Sequence, residues 1–81
     1  MGSKISNELV ALLINLLPGH YADFTQETEL ENILGFDSMV HINFVLEAEK
    51  LYSIAIDPEE YTSFFSIREF SDLIDNKLTD Q

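Results

Sequence analysis

Apolar residues along this chain fall into stretches of helical spacing separated by stretches that lack it. Ile5, Leu9, Leu12, Leu13 and Leu16 recur in steps of three and four, which predicts a first helix that Ser3 or Ser6 can cap and that Pro18 and Gly19 end. Met1 to Lys4 read as a frayed end. From His20 to Phe36 no period persists. Phe24, Leu30, Ile33 and Leu34 are expected to pin this segment onto the core, while Glu27, Glu29 and Glu31 face solvent. A loop of that length in a compact domain suggests a functional role.

A second helix is expected from about Ser38 to Tyr52, and its apolar positions do not form one stripe. Ile42, Val45, Ala48 and Tyr52 make one face, Phe44 and Leu51 widen it, and Met39, Val40 and Leu46 lie elsewhere. A small core cannot cover so much apolar circumference. Met39, Val40, Asn43, Leu46 and Lys50 are therefore assigned to a partner-facing surface beside Ser38. A turn from Ser53 to Asp57 dips Ile54 and Ile56 into the core, and Pro58 is placed to open a short third helix through Phe64, with Tyr61, Phe64 and Phe65 as its core candidates. Ser66 with Glu69 has the pattern of a capping box, after which Ile67, Phe70, Leu73, Ile74 and Leu78 predict a final helix. Nothing alternates like a strand, and neither a repeat nor a flexible linker divides the chain. The expectation is one all-α domain spanning residues 1–81, a four-helix bundle with a long loop between helices 1 and 2 and a short third helix.

Composition narrows the function. A chain of 81 residues has a thin core, since domains this small bury only about 60% of their unfolded surface. Disorder is excluded by a hydrophobic fraction of 46% that includes six phenylalanines and three tyrosines. A net charge of -11 repels nucleic acid and anionic membranes and steers association towards basic surfaces. The sequence has no cysteine, so neither a disulfide framework nor a thiolate metal site can form, and the apolar run from Leu9 is stopped by Pro18 too soon to span a bilayer. A soluble, cytoplasmic monomer is the simplest expectation.

Asp37, Ser38 and His41 invite a catalytic reading and fail it on geometry. Ser38 and His41 can touch across one helical turn, but Asp37 cannot then orient the ring from the first turn. His20 and His41 lack the closely spaced acids of a metal site. Asp57, Glu59 and Glu60 lack the alternating ligands and central glycine of a calcium loop and suit a solvated helix start instead. No glycine-rich phosphate cradle is present.

The stretch Gly35, Phe36, Asp37, Ser38, Met39 is different. It places one hydroxyl at a helix start, where unpaired amides and the positive end of the dipole favour an esterified anion. It resembles the Gly-x-Asp-Ser-Leu signature of acyl and peptidyl carrier proteins, and the length of the chain, the mid-chain serine and the order of helices fit that family over nearly the whole sequence. The resemblance implies a four-helix carrier that is not an enzyme and has a 4'-phosphopantetheine arm on Ser38. Asp37 would flank the attachment point, cap the helix and help the modifying enzyme. Implied partners are a phosphopantetheinyl transferase, an acyl- or aminoacyl-loading ligase, and downstream synthase enzymes with basic docking surfaces. Carriers of fatty acid synthesis usually have acids where this chain has Val40, Asn43 and Lys50, and leucine where it has Met39. The more apolar face is closer to peptidyl carriers and to specialised carriers of fatty acid, polyketide or nonribosomal-peptide-type pathways. The alternative is an acidic helical interaction module that binds a basic partner without a prosthetic group.

Overall fold

The computed structural model describes residues 3–20 and 22–79, with the side chain of Ser3 outside the described part. Three α-helices are present among the described residues: α1 (Ser3–Leu16), α2 (Ser38–Tyr52) and α3 (Ile67–Thr79). Short 3₁₀ turns occupy Pro18–His20, Leu30–Asn32 and Pro58–Thr62, and the only strand-like pairing among these residues is a single bridge between Glu29 and Ser66. No described helix is long and apolar enough to cross a membrane.

α1 begins two residues earlier than a frayed end at Met1 to Lys4 would allow, since Ser3 and Lys4 are already helical. Ser6 is not its cap. It lies inside α1, fully turned inward, and donates to Ser71 Oγ of α3 at 2.9 Å, while Ser71 Oγ donates to the Arg68 carbonyl at 2.7 Å. The Ser3 side chain, the other proposed cap, lies outside the described part. At the far end Leu17 still donates to the Leu13 carbonyl, Pro18 has no amide to continue the ladder, and Gly19 turns left-handed at φ 77°.

Leu9, Leu13 and Leu17 of the first helix and its exit form the centre of the core, with Phe44, Val45 and Ala48 of α2 on one side and Ile67, Phe70 and Ile74 of α3 on the other. α1 packs closely against both helices, whereas the backbones of α2 and α3 stay further apart. Aromatic rings fill that space. Phe64 stacks on Phe70 with centroids 4.2 Å apart, and Phe70 meets Phe44 edge to face at 5.2 Å.

The long connection is fastened at several points. Leu30 and Ile33 are buried and Phe24 is half-buried, but Leu34, expected to be a pin, is 70% exposed. Backbone bonds tie the loop to the start of α3, from Leu30 to the Phe65 carbonyl at 2.8 Å and from Arg68 to the Gln26 carbonyl at 2.9 Å. Arg68 and Glu27 add an exposed ion pair at 2.9 Å. Just before α2, Gly35 takes φ 87° and lies so close to Pro18 that a Cβ there would sit 3.2 Å from the proline ring. Glycine is required at this point both for the left-handed backbone and for the close approach.

The expected third helix is a five-residue 3₁₀ turn, Pro58–Thr62. Glu60 closes it: the Asp57 amide donates to its carboxylate at 3.0 Å and Lys77 of α3 pairs with the same oxygen at 2.9 Å. The Asp57 amide first, and the Lys77 ammonium second, hold the Glu60 carboxyl below its ordinary range. Phe64 enters the core and Tyr61 is half-buried, while Phe65 is 64% exposed and contributes no core side chain. At α3, Ser66 Oγ accepts from the Glu69 amide, but Glu69 reaches one residue beyond a simple capping box and accepts from the Phe65 amide at 2.6 Å.

Candidate functional site

Asp37 has extended backbone angles, φ -132° and ψ -173°, and its side chain accepts from the Val40 amide at 2.9 Å, which fixes it as the N-cap of α2. Its carbonyl takes the His41 amide at 2.9 Å. Of the four amides that a helix start leaves without a carbonyl behind them, the cap takes that of Val40, and those of Ser38 and Met39 in the first turn are not served within the helix. Ser38 is the first residue of α2 and is exposed. A phosphodiester on its oxygen would meet two amide donors and the positive end of a fifteen-residue helix, so the residues present fit an esterified anion.

The residues assigned to the partner-facing surface do not all share it. Met39 is 69% exposed and Leu46 41%, with Asn43 and Lys50 also on the surface. Asn43, Leu46 and Lys50 line one shallow depression together with Glu47 and Ile54, and Lys50 pairs with Glu47 at 3.4 Å. Val40 is the correction. It is 8% exposed and belongs to the core, because the buried stripe of α2 runs Val40, Phe44, Ala48 in steps of four, with Val45 beside it. Ile42 and Leu51, expected in the core, lie outside that stripe and are exposed. Ile42 extends the apolar surface between Met39 and Leu46.

His41 is half-buried among aromatic rings, 5.5 Å from Phe36, 5.6 Å from Phe64 and 6.3 Å from Tyr61 between centroids. Its Nε2 is shut off from solvent and has no hydrogen-bond partner among the described residues. Beside it opens a pocket of about 430 Å³ whose lining includes Leu30, His41, Thr62, Phe64 and Phe65, with Glu29 and Glu31. Sequence spacing could not reveal this pocket, since its walls come from three separate parts of the chain. Among the described residues no group of three or more histidines and acids could hold a metal ion.

The chain is similar over nearly its whole length to an acyl carrier protein of Amoebophilus asiaticus (strain 5a2). The two are 24% identical over 79 residues, which cover 98% of this chain and 99% of the relative. No family model and no solved structure matches the chain. The similarity supports a carrier role in general terms and a function without catalysis.

Proposed function

We propose that this protein is a discrete acyl or aminoacyl carrier whose phosphopantetheine arm is attached at Ser38. The observation that carries the reading is an exposed serine at N1 of α2, directly after the Asp37 cap that accepts from the Val40 amide. Attachment makes the Ser38 oxygen the nucleophile. It forms a bond to the phosphorus of coenzyme A that bears the pantetheine, the phosphoanhydride bond breaks, adenosine bisphosphate leaves, and the hydroxyl proton passes to a base of the transferase. When bound, the arm supplies a terminal thiol on which an acyl or aminoacyl group rides as a thioester.

The chain itself makes and breaks no bonds after that. The amides at Ser38 and Met39 would hold the phosphodiester, Asp37 keeps the helix start in place, and tethering would raise the concentration of the carried group at each enzyme it visits. On this reading the Pro58–Thr62 3₁₀ turn stands where the carrier bundle of the resemblance has its short third helix. Met39, Ile42, Asn43, Leu46 and Lys50 form the docking face, whose apolar character suits a loading ligase and synthase enzymes of a specialised fatty acid, polyketide or nonribosomal-peptide-type pathway in the cytoplasm. The charge of -11 speeds encounter with basic partners.

Intact mass after incubation with coenzyme A and a broad-specificity phosphopantetheinyl transferase tests the reading. Wild type is expected to gain one arm and Ser38→Ala none. A wild-type mass that stays unchanged, or equal gain by both proteins, overturns it.

A further inference from the structure

Met39 combines three properties that no other described residue shares. It is 69% exposed, it follows Ser38 directly, and its thioether is the one oxidisable sulfur among the described residues of a chain that has no cysteine. We propose that Met39 is a reversible oxidation site which takes one oxygen from a hydroperoxide, and that the resulting sulfoxide weakens docking of the enzymes that address Ser38. The proposal rests on the carrier reading and adds a regulation to that same face.

The make-up of the face explains why one atom suffices. Met39, Ile42 and Leu46 recur in steps of three and four, so they form one apolar strip along the exposed side of α2. The charged groups of that helix are already engaged. Lys50 pairs with Glu47 at 3.4 Å, the Glu49 carboxylate accepts from the Ile56 amide at 2.6 Å, and the Asp37 cap accepts from the Val40 amide at 2.9 Å. Docking on this strip therefore relies on apolar contact. Ile42 and Leu46 are hydrocarbon and inert to peroxide, whereas the thioether of Met39 is not. A sulfoxide is polar, and a partner shaped for an apolar side chain would have to bury it without a hydrogen bond. The core, by contrast, does not contain this sulfur, so the fold should be indifferent to the change.

The step balances on sulfur and oxidant alone. A lone pair of Met39 Sδ attacks the protonated oxygen of the hydroperoxide, a sulfur–oxygen bond forms, the oxygen–oxygen bond breaks, and the proton passes to the departing oxygen. Sulfur gives up two electrons, and hydrogen peroxide is reduced to water or an alkyl hydroperoxide to its alcohol. No side chain has to act as a base. A methionine sulfoxide reductase reverses the change at the expense of a dithiol, which becomes a disulfide while the oxygen leaves as water.

The test uses the full chain without its arm, so that no arm thiol competes for oxidant. Hydrogen peroxide is added and peptide mapping locates the oxygen. Oxidised and untreated chains are then mixed in equal amounts with coenzyme A and a limiting quantity of a broad-specificity phosphopantetheinyl transferase, and intact mass follows both forms in one tube. The untreated form is expected to gain the arm on the order of tenfold faster. In Met39→Leu, a volume-conserving exchange, the oxidised and untreated preparations should load at equal rates, which also removes any contribution of Met1. Reductase with dithiothreitol should restore the wild-type rate, and the melting temperatures of the two wild-type forms should coincide. Equal loading of the two wild-type forms, a loss that persists in Met39→Leu or resists the reductase, or a lower melting temperature for the oxidised form overturns the proposal. So does a Met39 left intact in a solution where free methionine is oxidised. Untreated wild type that gains no arm refutes the carrier reading and the switch together, whereas loading that ignores oxidation refutes the switch alone.

Discussion

Between α1 and α3 the buried polar atoms are fully served: Ser6 donates to Ser71, Ser71 donates to a carbonyl of its own helix, and both side chains are almost completely enclosed. Where α2 meets the long loop and the segment after Pro58 the arrangement is the reverse, with His41 Nε2 among aromatic rings and unserved among the described residues, and a half-open pocket alongside. One seam is a closed joint. The other is held by aromatic stacking with an unmet hydrogen bond beside it, and the contrast separates the polar fastening of the bundle from the aromatic one.

The largest expected effect comes from removing the ring shared by both sides. Phe70 touches Phe44 and Phe64, so Phe70→Ala should cost about 3–5 kcal/mol in urea unfolding, a large part of the stability of so small a domain. The closed joint is next. Ser71→Val leaves the Ser6 hydroxyl buried without an acceptor and should cost about 1–3 kcal/mol, with part of the loss recovered when Ser6→Ala is added, because then neither polar atom is stranded. At His41 the sign should invert: His41→Leu removes a nitrogen that has no partner among the described residues and should raise the stability of the unmodified protein by about 1 kcal/mol. If both substitutions cost stability equally, the two seams are not different in kind.

The smallest effect concerns α1 and α2. The Tyr52 hydroxyl donates to Glu8 at 2.6 Å, and burial, then the bond to Glu8, then its negative charge push the tyrosine pKa well above its ordinary value near 10. A group whose folded-state pKa is raised contributes stability that is fully present below the unfolded value and lost as pH rises beyond it. Stability should therefore fall as pH rises above 10, and Tyr52→Phe should flatten that alkaline limb. A variant with the same alkaline slope as wild type would assign the loss to general charge repulsion instead.

The bounds of α2 were legible because Asp37 is a strong cap just before the apolar period begins and Tyr52 is its last apolar position. α3 was legible through Ser66 and Glu69. The orientation of α2 was only half legible: positions 40, 44 and 48 and positions 42, 45, 48 and 52 fit the same period, and it is the placement of α1 and the aromatic cluster that buries Val40 and exposes Ile42. The apolar residues after Pro58 permit a helix, yet a 3₁₀ turn suffices once Glu60 is held by Asp57 and Lys77, the latter seventeen positions away and invisible to local pattern. The exposed serine could be anticipated from the cap. The pocket could not, since Leu30, His41 and Phe64 meet only in three dimensions.

Gly35 seated on the ring of Pro18 has a mechanical consequence. It brings the exit of the first helix against the threshold of the second, so tension applied at Ser38 is passed into α1 instead of paying out slack from the loop. Added residues would be borne by the stretch around residues 22–25, upstream of this clasp, and would loosen the threshold if placed at residues 33–36.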